Sequence, residues 1–273
     1  MFVEDLGIVL RSQPLRERDR LVTLLTENHG RVTGVAKGAI HSRRFGGSLD
    51  LFTSVSVRWK ESPTSELVRI EEACTRKDFA TLRTQLENIS AAGHFADLTC
   101  RLSQDHQPAR EIFLLLAHYL VALDTHPVTQ ELVRSFEMKL LDRLGYSPEL
   151  ECCCGCAAAF DGVNSLEVAV SLQRGGFLCG DCTPSGAPVV SGHTLVWLQH
   201  ARLTPIAQVH GLRFPLMAQE EGVQVLQDFL RYHCPGLQNY AFRSHALLEQ
   251  FLAENAQRPA STQSTAAARS SAT

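Results

Sequence analysis

The sequence predicts an α+β multidomain chain: an N-terminal β-barrel, then an α-helical domain with a four-cysteine zinc-finger insertion. Three observations lead there. Five short runs rich in β-branched residues, divided by Gly- and Pro-marked turns, occupy roughly the first 80 residues. Apolar residues then recur at three- to four-residue steps up to about residue 145. Two Cys-x-x-Cys pairs, Cys153/Cys156 and Cys179/Cys182, stand 22 residues apart. At 273 residues the chain has room for about two domains, expected at 1–80 and 81–254, with the insertion at about 150–185 and a tail at 255–273.

The strands are expected over Leu6–Leu10, Leu21–Thr26, Arg31–Ala36, Leu49–Trp59 and Ser65–Glu71. In the third, Val32, Gly34 and Ala36 share one side of the pleat. In the fourth, Val55, Val57 and Trp59 alternate with Ser54, Ser56 and Arg58. Pro14 with Arg16–Arg20, and Asn28-His29-Gly30, supply the first turns. Five short strands in about 70 residues fit a small closed sheet, and the OB-fold is the leading candidate.

Between the third and fourth strands runs Lys37-Gly-Ala-Ile-His-Ser-Arg-Arg-Phe-Gly-Gly-Ser48. Its cations suit phosphates, its glycines let backbone approach a ligand, and His41 or Phe45 can stack on a base. The net charge is only −3, but residues 31–60 hold six basic residues against Asp50 alone. That asymmetry predicts a basic face on an acidic body. The expected nucleic-acid contacts are Arg31, Lys37, His41, Arg43, Arg44 and Arg58. A solvated basic loop is the plainer alternative. No Gly-Lys-Ser/Thr follows the glycines, which argues against nucleotide hydrolysis.

Helices are expected over 77–102, from Pro108 to about Asp124, and from Pro127 to a cap at Gly145. The second is apolar around most of its circumference, which predicts a central buried helix. Further helices are expected from a Ser191 cap to Ala201, over Glu220–Cys234, and over His245–Ala253. Residues 255–273 are rich in Ala, Ser, Thr and Gln and are expected to be disordered, with Arg258 and Arg269 solvated. The longest apolar run, Ile112–Leu123, is too short to span a bilayer.

Two Cys-x-x-Cys knuckles at this spacing provide four sulfurs for tetrahedral zinc and leave no open position for catalysis. Cys153 is favoured over Cys152 because it pairs at x-x spacing with Cys156, and Cys154 could pair only at shorter spacing; register exchange among the three is the alternative. A hairpin is expected between the knuckles, with Leu166, Val168, Val170 and Leu172 alternating and Gly175-Gly176 turning. The acidic start Met1–Asp5 has no long apolar run after it, so a reducing cytoplasm, and metal rather than disulfides, is expected. Cys74, Cys100 and Cys234 are expected to be buried, inert thiols. An iron–sulfur cluster or a redox role is the alternative use of the cysteines.

Gly7-Ile-Val-Leu-Arg11, Glu17-Arg-Asp-Arg-Leu-Val-Thr-Leu-Leu-Thr-Glu-Asn-His-Gly-Arg31 and Gly34-Val-Ala-Lys-Gly-Ala39 resemble the N-terminal signature of the bacterial DNA repair RecO family. Arg43-Arg44-Phe45-Gly46, Glu72-Ala73 and Phe136–Leu150 extend the resemblance. In the zinc-bearing branch the first knuckle starts five residues after a proline; from Pro148 that is Cys153. Phe177 before Cys179-Gly-Asp-Cys182 also fits, while Ala157 stands where the family usually has Gly. The resemblance implies an OB-fold, structural Zn2+, and binding and annealing of single- and double-stranded DNA. It further implies work with RecR to load RecA onto DNA covered by single-strand-binding protein, whose acidic C-terminal tail the helical domain captures. Arg110, Arg134 and Arg143 are candidates for that tail by position. The implied place is the cytoplasm, at the nucleoid, with no membrane partner. No catalytic constellation is recognisable, so no enzyme is expected; the alternatives are a zinc-containing nuclease and an RNA-binding OB-fold adaptor.

Overall fold

The computed structural model describes residues 2–62, 64–160, 167–238, 248 and 250–252. The expected tail with Arg258 and Arg269 lies outside them, as do Leu166 and most of the helix expected over His245–Ala253. Five strands open the chain: β1 (Phe2–Pro14), β2 (Arg20–Thr26), β3 (Gly30–Ala36), β4 (Ser54–Ser62) and β5 (Ser65–Lys77). They close in the order β1-β2-β3-β5-β4, with β4 returning to β1. Only the β3–β5 pairing is parallel. This is the OB-fold barrel.

Period-two alternation produces the interior. Val9, Val22, Leu24, Val32, Val55, Val57, Trp59, Val68 and Ile70 form one buried cluster inside the barrel. Closure depends on a close approach at Gly34. A Cβ there would lie 2.6 Å from Val68 Cγ2 and 2.8 Å from the Val68 carbonyl oxygen. The opposite faces of β1 and β2 are covered too: Ile8, Leu10 and Leu25 join the core of the helical part. Gly7 to Leu10 are therefore buried without interruption.

The fourth strand starts later than expected, at Ser54 rather than Leu49. Residues 46–53 turn instead, with Asp50 N–H donating to Gly47 O at 3.1 Å and Thr53 N–H to Asp50 O at 3.2 Å. The physical reason is burial: Phe45 and Leu49 point into the barrel end, while Phe52 enters the helical core.

Three helices follow: α1 (Leu86–Leu102), α2 (Arg110–Thr125) and α3 (Gln130–Leu144). The first expected helix was too long at its start, because β5 runs to Lys77 and a 3-10 turn at Leu82–Thr84 intervenes. Thr129 caps α3 by accepting from Leu132 N–H, and Gly145 ends it at φ 74°. The central helix is α3, not the more apolar α2. Every residue of α3 from Glu131 to Leu141 is buried, whereas Leu114 and Val121 of α2 are each 38% exposed. Periodicity ranks helices by apolar content; here the helix with neighbours on all sides is one whose polar groups are internally paired.

A small sheet follows, β6 (Glu167–Ser171), β7 (Gly176–Leu178) and β8 (Val189–Ser191), in the order β7-β6-β8. Helices α4 (Gly192–Leu203), α5 (Ile206–Val209) and α6 (Leu216–His233) complete the described fold. Trp197 of α4 packs directly against Gly222 of α6. Among the described residues, no helix is long and apolar enough to cross a membrane.

One carboxylate fixes the β2–β3 turn. Asp5 accepts from its neighbour Leu6 N–H at 2.8 Å, from Asn28 N–H at 2.9 Å and from Asn28 Nδ2 at 2.8 Å. His29 Nδ1 lies 2.8 Å from the same group, and the His29 ring meets Trp59 edge-on. Burial opposes the Asp5 charge, but these donors outweigh it and hold the carboxyl below its usual 3.8. Asp5 thus adds stability that is complete above pH 3.8 and is lost as pH falls through the lowered folded value. Asp5→Ala is expected to cost about 2 kcal/mol at pH 7 and to flatten the acid limb of the stability curve, measured by denaturant unfolding at several pH values.

Candidate nucleic-acid interface and metal centre

The basic loop 37–53 closes one end of the barrel, and this sorts its side chains. Ala39, Phe45 and Leu49 belong to the barrel core. Lys37, His41, Arg43 and Arg44 lie on the solvent side. Arg83 pins the loop's far end through the Leu51 carbonyl and Thr53 Oγ1, the latter at 2.9 Å. The Arg44 guanidinium stands 4.6 Å over the Phe45 ring. Phe45 is only 3% exposed, so it is not the stacking ring expected from sequence; of the two rings proposed, His41 is the exposed one.

The β1–β2 loop lies against this one. Ile40 N–H donates to Arg18 O at 3.1 Å, and Gly38 N–H to Asp19 Oδ1 at 2.8 Å. Arg16 and Arg18 are exposed there and extend the basic end of the barrel. Sequence reading placed them in a turn and left them out of the site; their local charge is mixed with Glu17 and Asp19, and only the fold sets them beside Lys37. Among the described residues, no ion pair engages Lys37, Arg43, Arg44, Arg16 or Arg18.

The other two expected cations are placed differently. Arg31 starts β3 at the opposite end of that strand and pairs with Asp105 through Nε at 2.6 Å and Nη2 at 2.8 Å. It also donates to the Cys100 carbonyl. Arg58, on the outer side of β4, pairs with Glu72 and lies 4.0 Å from Glu4. The six expected contacts therefore do not share one loop: four lie on it, and Arg31 and Arg58 lie elsewhere in ion pairs. Of the arginines considered for a peptide tail, Arg134 is fully buried against Glu137 at 2.9 Å and is closed to a partner. Arg110 pairs with Glu27 at 3.3 Å and Arg143 with Glu111 at 3.1 Å.

The second site is a knot of sulfur. The Sγ atoms of Cys153, Cys156, Cys179 and Cys182 all lie within 4.8 Å of one another. Cys156 and Cys179 are 3.7 Å apart. A tetrahedron with metal–sulfur bonds of ~2.3 Å has edges of about 3.8 Å, so four thiolates around one ion fit. Gly155 and Cys179 N–H both point at Cys153 Sγ, at 3.3 Å each. Burial raises the Cys153 thiol, but N–H donation from Cys179, Cys156 and Gly155 outweighs it and lowers the thiol to about 6. Hydrogen bonding with Cys156, Cys179 and Cys153 pushes Cys182 up to about 12. Cys154 Sγ instead lies against Gly176, and Cys152 pairs through its backbone with Ala159; neither thiol joins the four-sulfur group. Gly155 is sterically required, since a Cβ there would sit 2.8 Å from Cys182 Sγ. Of the remaining thiols, Cys100 and Cys234 are buried, but Cys74 is exposed because it falls on the outer side of β5.

Residues 1–79 match the family described as Recombination protein O N terminal, and residues 83–239 match Recombination protein O C terminal. The DNA repair protein RecO of Anaeromyxobacter dehalogenans (strain 2CP-C) is 37% identical over 231 residues, covering 83% of this chain and 89% of that one. The protein of the same name from Syntrophotalea carbinolica is 32% identical over 227 residues, covering 82% and 87%. That from Myxococcus xanthus is 32% identical over 244 residues, covering 89% and 91%.

The chain belongs to the RecO family.

At Ala157, beside the first knuckle, the backbone is left-handed, φ 60°, where the sequence has no glycine. Such a conformation is unfavourable for any residue with a Cβ. Ala157→Gly is expected to strengthen the metal segment by about 0.5–1 kcal/mol, read as slower metal loss to a chromophoric chelator. Cys179→Ser is expected to abolish stoichiometric metal binding and lower thermal stability, while amide exchange in β1–β5 stays protected; collapse of barrel protection would show that the two parts do not fold separately.

Proposed function

We propose that the protein is a DNA-binding recombination mediator in DNA repair that makes and breaks no covalent bond. The observation that carries this reading is the exposed cluster Lys37, Arg43 and Arg44 on a loop whose apolar residues anchor it in the barrel. A fixed loop with outward cations holds phosphates without ordering a disordered segment first, so little entropy is lost on binding. Family membership and relatives named DNA repair protein RecO support DNA as the polymer.

On this reading, strands held through phosphates keep their base edges accessible and can anneal. The protein acts with RecR to load RecA onto single-stranded DNA coated by single-strand-binding protein, working in the cytoplasm at the nucleoid. Both single- and double-stranded DNA are bound, since phosphate contacts do not distinguish sequence. The helical domain takes the C-terminal tail of single-strand-binding protein; Arg110 and Arg143 remain candidates for it. We assign the metal as one structural Zn2+ on Cys153, Cys156, Cys179 and Cys182, because four thiolates favour it and leave no site for water. We also propose that residues 1–80 and 81–254 are the two domains, with the zinc insertion at about 150–185.

Binding to labelled oligonucleotides is expected to weaken steeply with salt and to leave the strands uncut. The combined change Lys37→Ala, Arg43→Ala and Arg44→Ala is expected to lower the salt slope for single-stranded DNA by about 2, from three contacts at ~0.7 each. An unchanged slope in a folded variant places the groove elsewhere; cleavage that survives purification replaces the mediator reading with a nuclease.

A further inference from the structure

Where the barrel meets the helical part there is a cavity of about 230 Å³ lined by Arg11, Arg31, Cys100, Arg101, Pro235 and Gly236. Three guanidiniums from β1, β3 and α1 converge there. Asp97 and Asp105 are among their partners. Asp97 Oδ1 is shared by Arg11 Nη2 at 2.9 Å and Arg101 Nε at 3.2 Å, and Asp105 takes Arg31. The Arg11 side chain is half exposed and contacts Asp97 through one terminal nitrogen. A guanidinium has five N–H donors in a planar fork, so Arg11 has the capacity for a second oxyanion.

We propose that this notch is a second phosphate-binding site, occupied by a phosphodiester of the same DNA strand that the basic loop holds. The inference rests on the DNA-binding reading above and extends it. Continuity favours a strand over an acidic peptide. Arg11 is three residues from Pro14, where β1 gives way to the loop bearing Arg16 and Arg18, roughly 10 Å at ~3.3 Å per residue. Arg31 and Lys37 lie at the two ends of β3, roughly 20 Å apart by the same rise. One backbone can therefore pass from the loop along the barrel wall to the notch. Asp97, shared between two cations, acts as a placeholder that the phosphate displaces from Arg11.

The test uses opposite charge changes in the full chain with single-stranded oligonucleotides. Arg11→Gln is expected to weaken binding roughly three- to tenfold and to lower the salt slope by about 0.7. Arg101→Gln reports the same site from the helical side if Arg11→Gln does not fold. Asp97→Asn, which removes the competing carboxylate, is expected to tighten binding. A purely structural ion pair predicts the reverse: both changes lower the melting temperature and neither moves the slope. That result, or an acidic peptide that needs Arg11 yet does not compete with DNA, overturns the proposal. If wild-type protein binds no DNA, the parent reading fails; if the loop variant weakens binding and Arg11→Gln does not, only the notch fails.

Discussion

The double burial of β1 organises this molecule. A strand in a small barrel ordinarily packs one face inward and wets the other. Here Val9 faces the barrel interior while Ile8 and Leu10 face the helices, with Leu25 of β2 beside them. Each such side chain contributes about 1.5–3 kcal/mol when withdrawn from water. The seam fixes the barrel on α1 and α2, and Phe52 and Arg83 extend it to the base of the basic loop. The loop's cations are thereby held at a free end of the barrel, and Arg31 is drawn into the seam instead.

The helical part is organised around charge as much as apolar area. In α3, Arg134 and Glu137 pair with each other at 2.9 Å, and His94 of α1 meets Glu137 at 2.6 Å, all essentially without solvent. Ser135 donates to the Ala201 carbonyl at 2.6 Å and accepts from Tyr119, while Lys139 binds the last carbonyls of α4. Burial lowers the Lys139 ammonium to about 8. Such a network costs much if one member is lost, and it makes the alignment of α1, α3 and α4 specific.

The two candidate sites follow opposite electrostatic logic. The metal knot gathers sulfurs that repel one another as thiolates, so N–H donors and a cation must hold them together. The barrel end spreads cations on a turn-rich lid, ready for an external polyanion. The sulfur cluster packs against Ala169 of β6 and Leu178 of β7, whereas the exposed cations stand on the loop anchored in the barrel.

The sequence by itself determined the barrel, the helices and the spacing of the knuckles, because period-two and period-3.6 burial and Cys-x-x-Cys spacing are local properties of the chain. It also pointed to the loop 37–48, where cations cluster within a few residues. It misjudged which helix is central, since paired polar groups look exposed until their partners are known. It grouped Arg31 and Arg58 with the loop cations, though carboxylates 74 and 14 residues away pair with them. It favoured Cys153 among three adjacent cysteines by its x-x spacing to Cys156, without excluding a register exchange, and it missed Arg16 and Arg18. Those outcomes depend on contacts between distant residues, and only the closed barrel docked on its helices decided them.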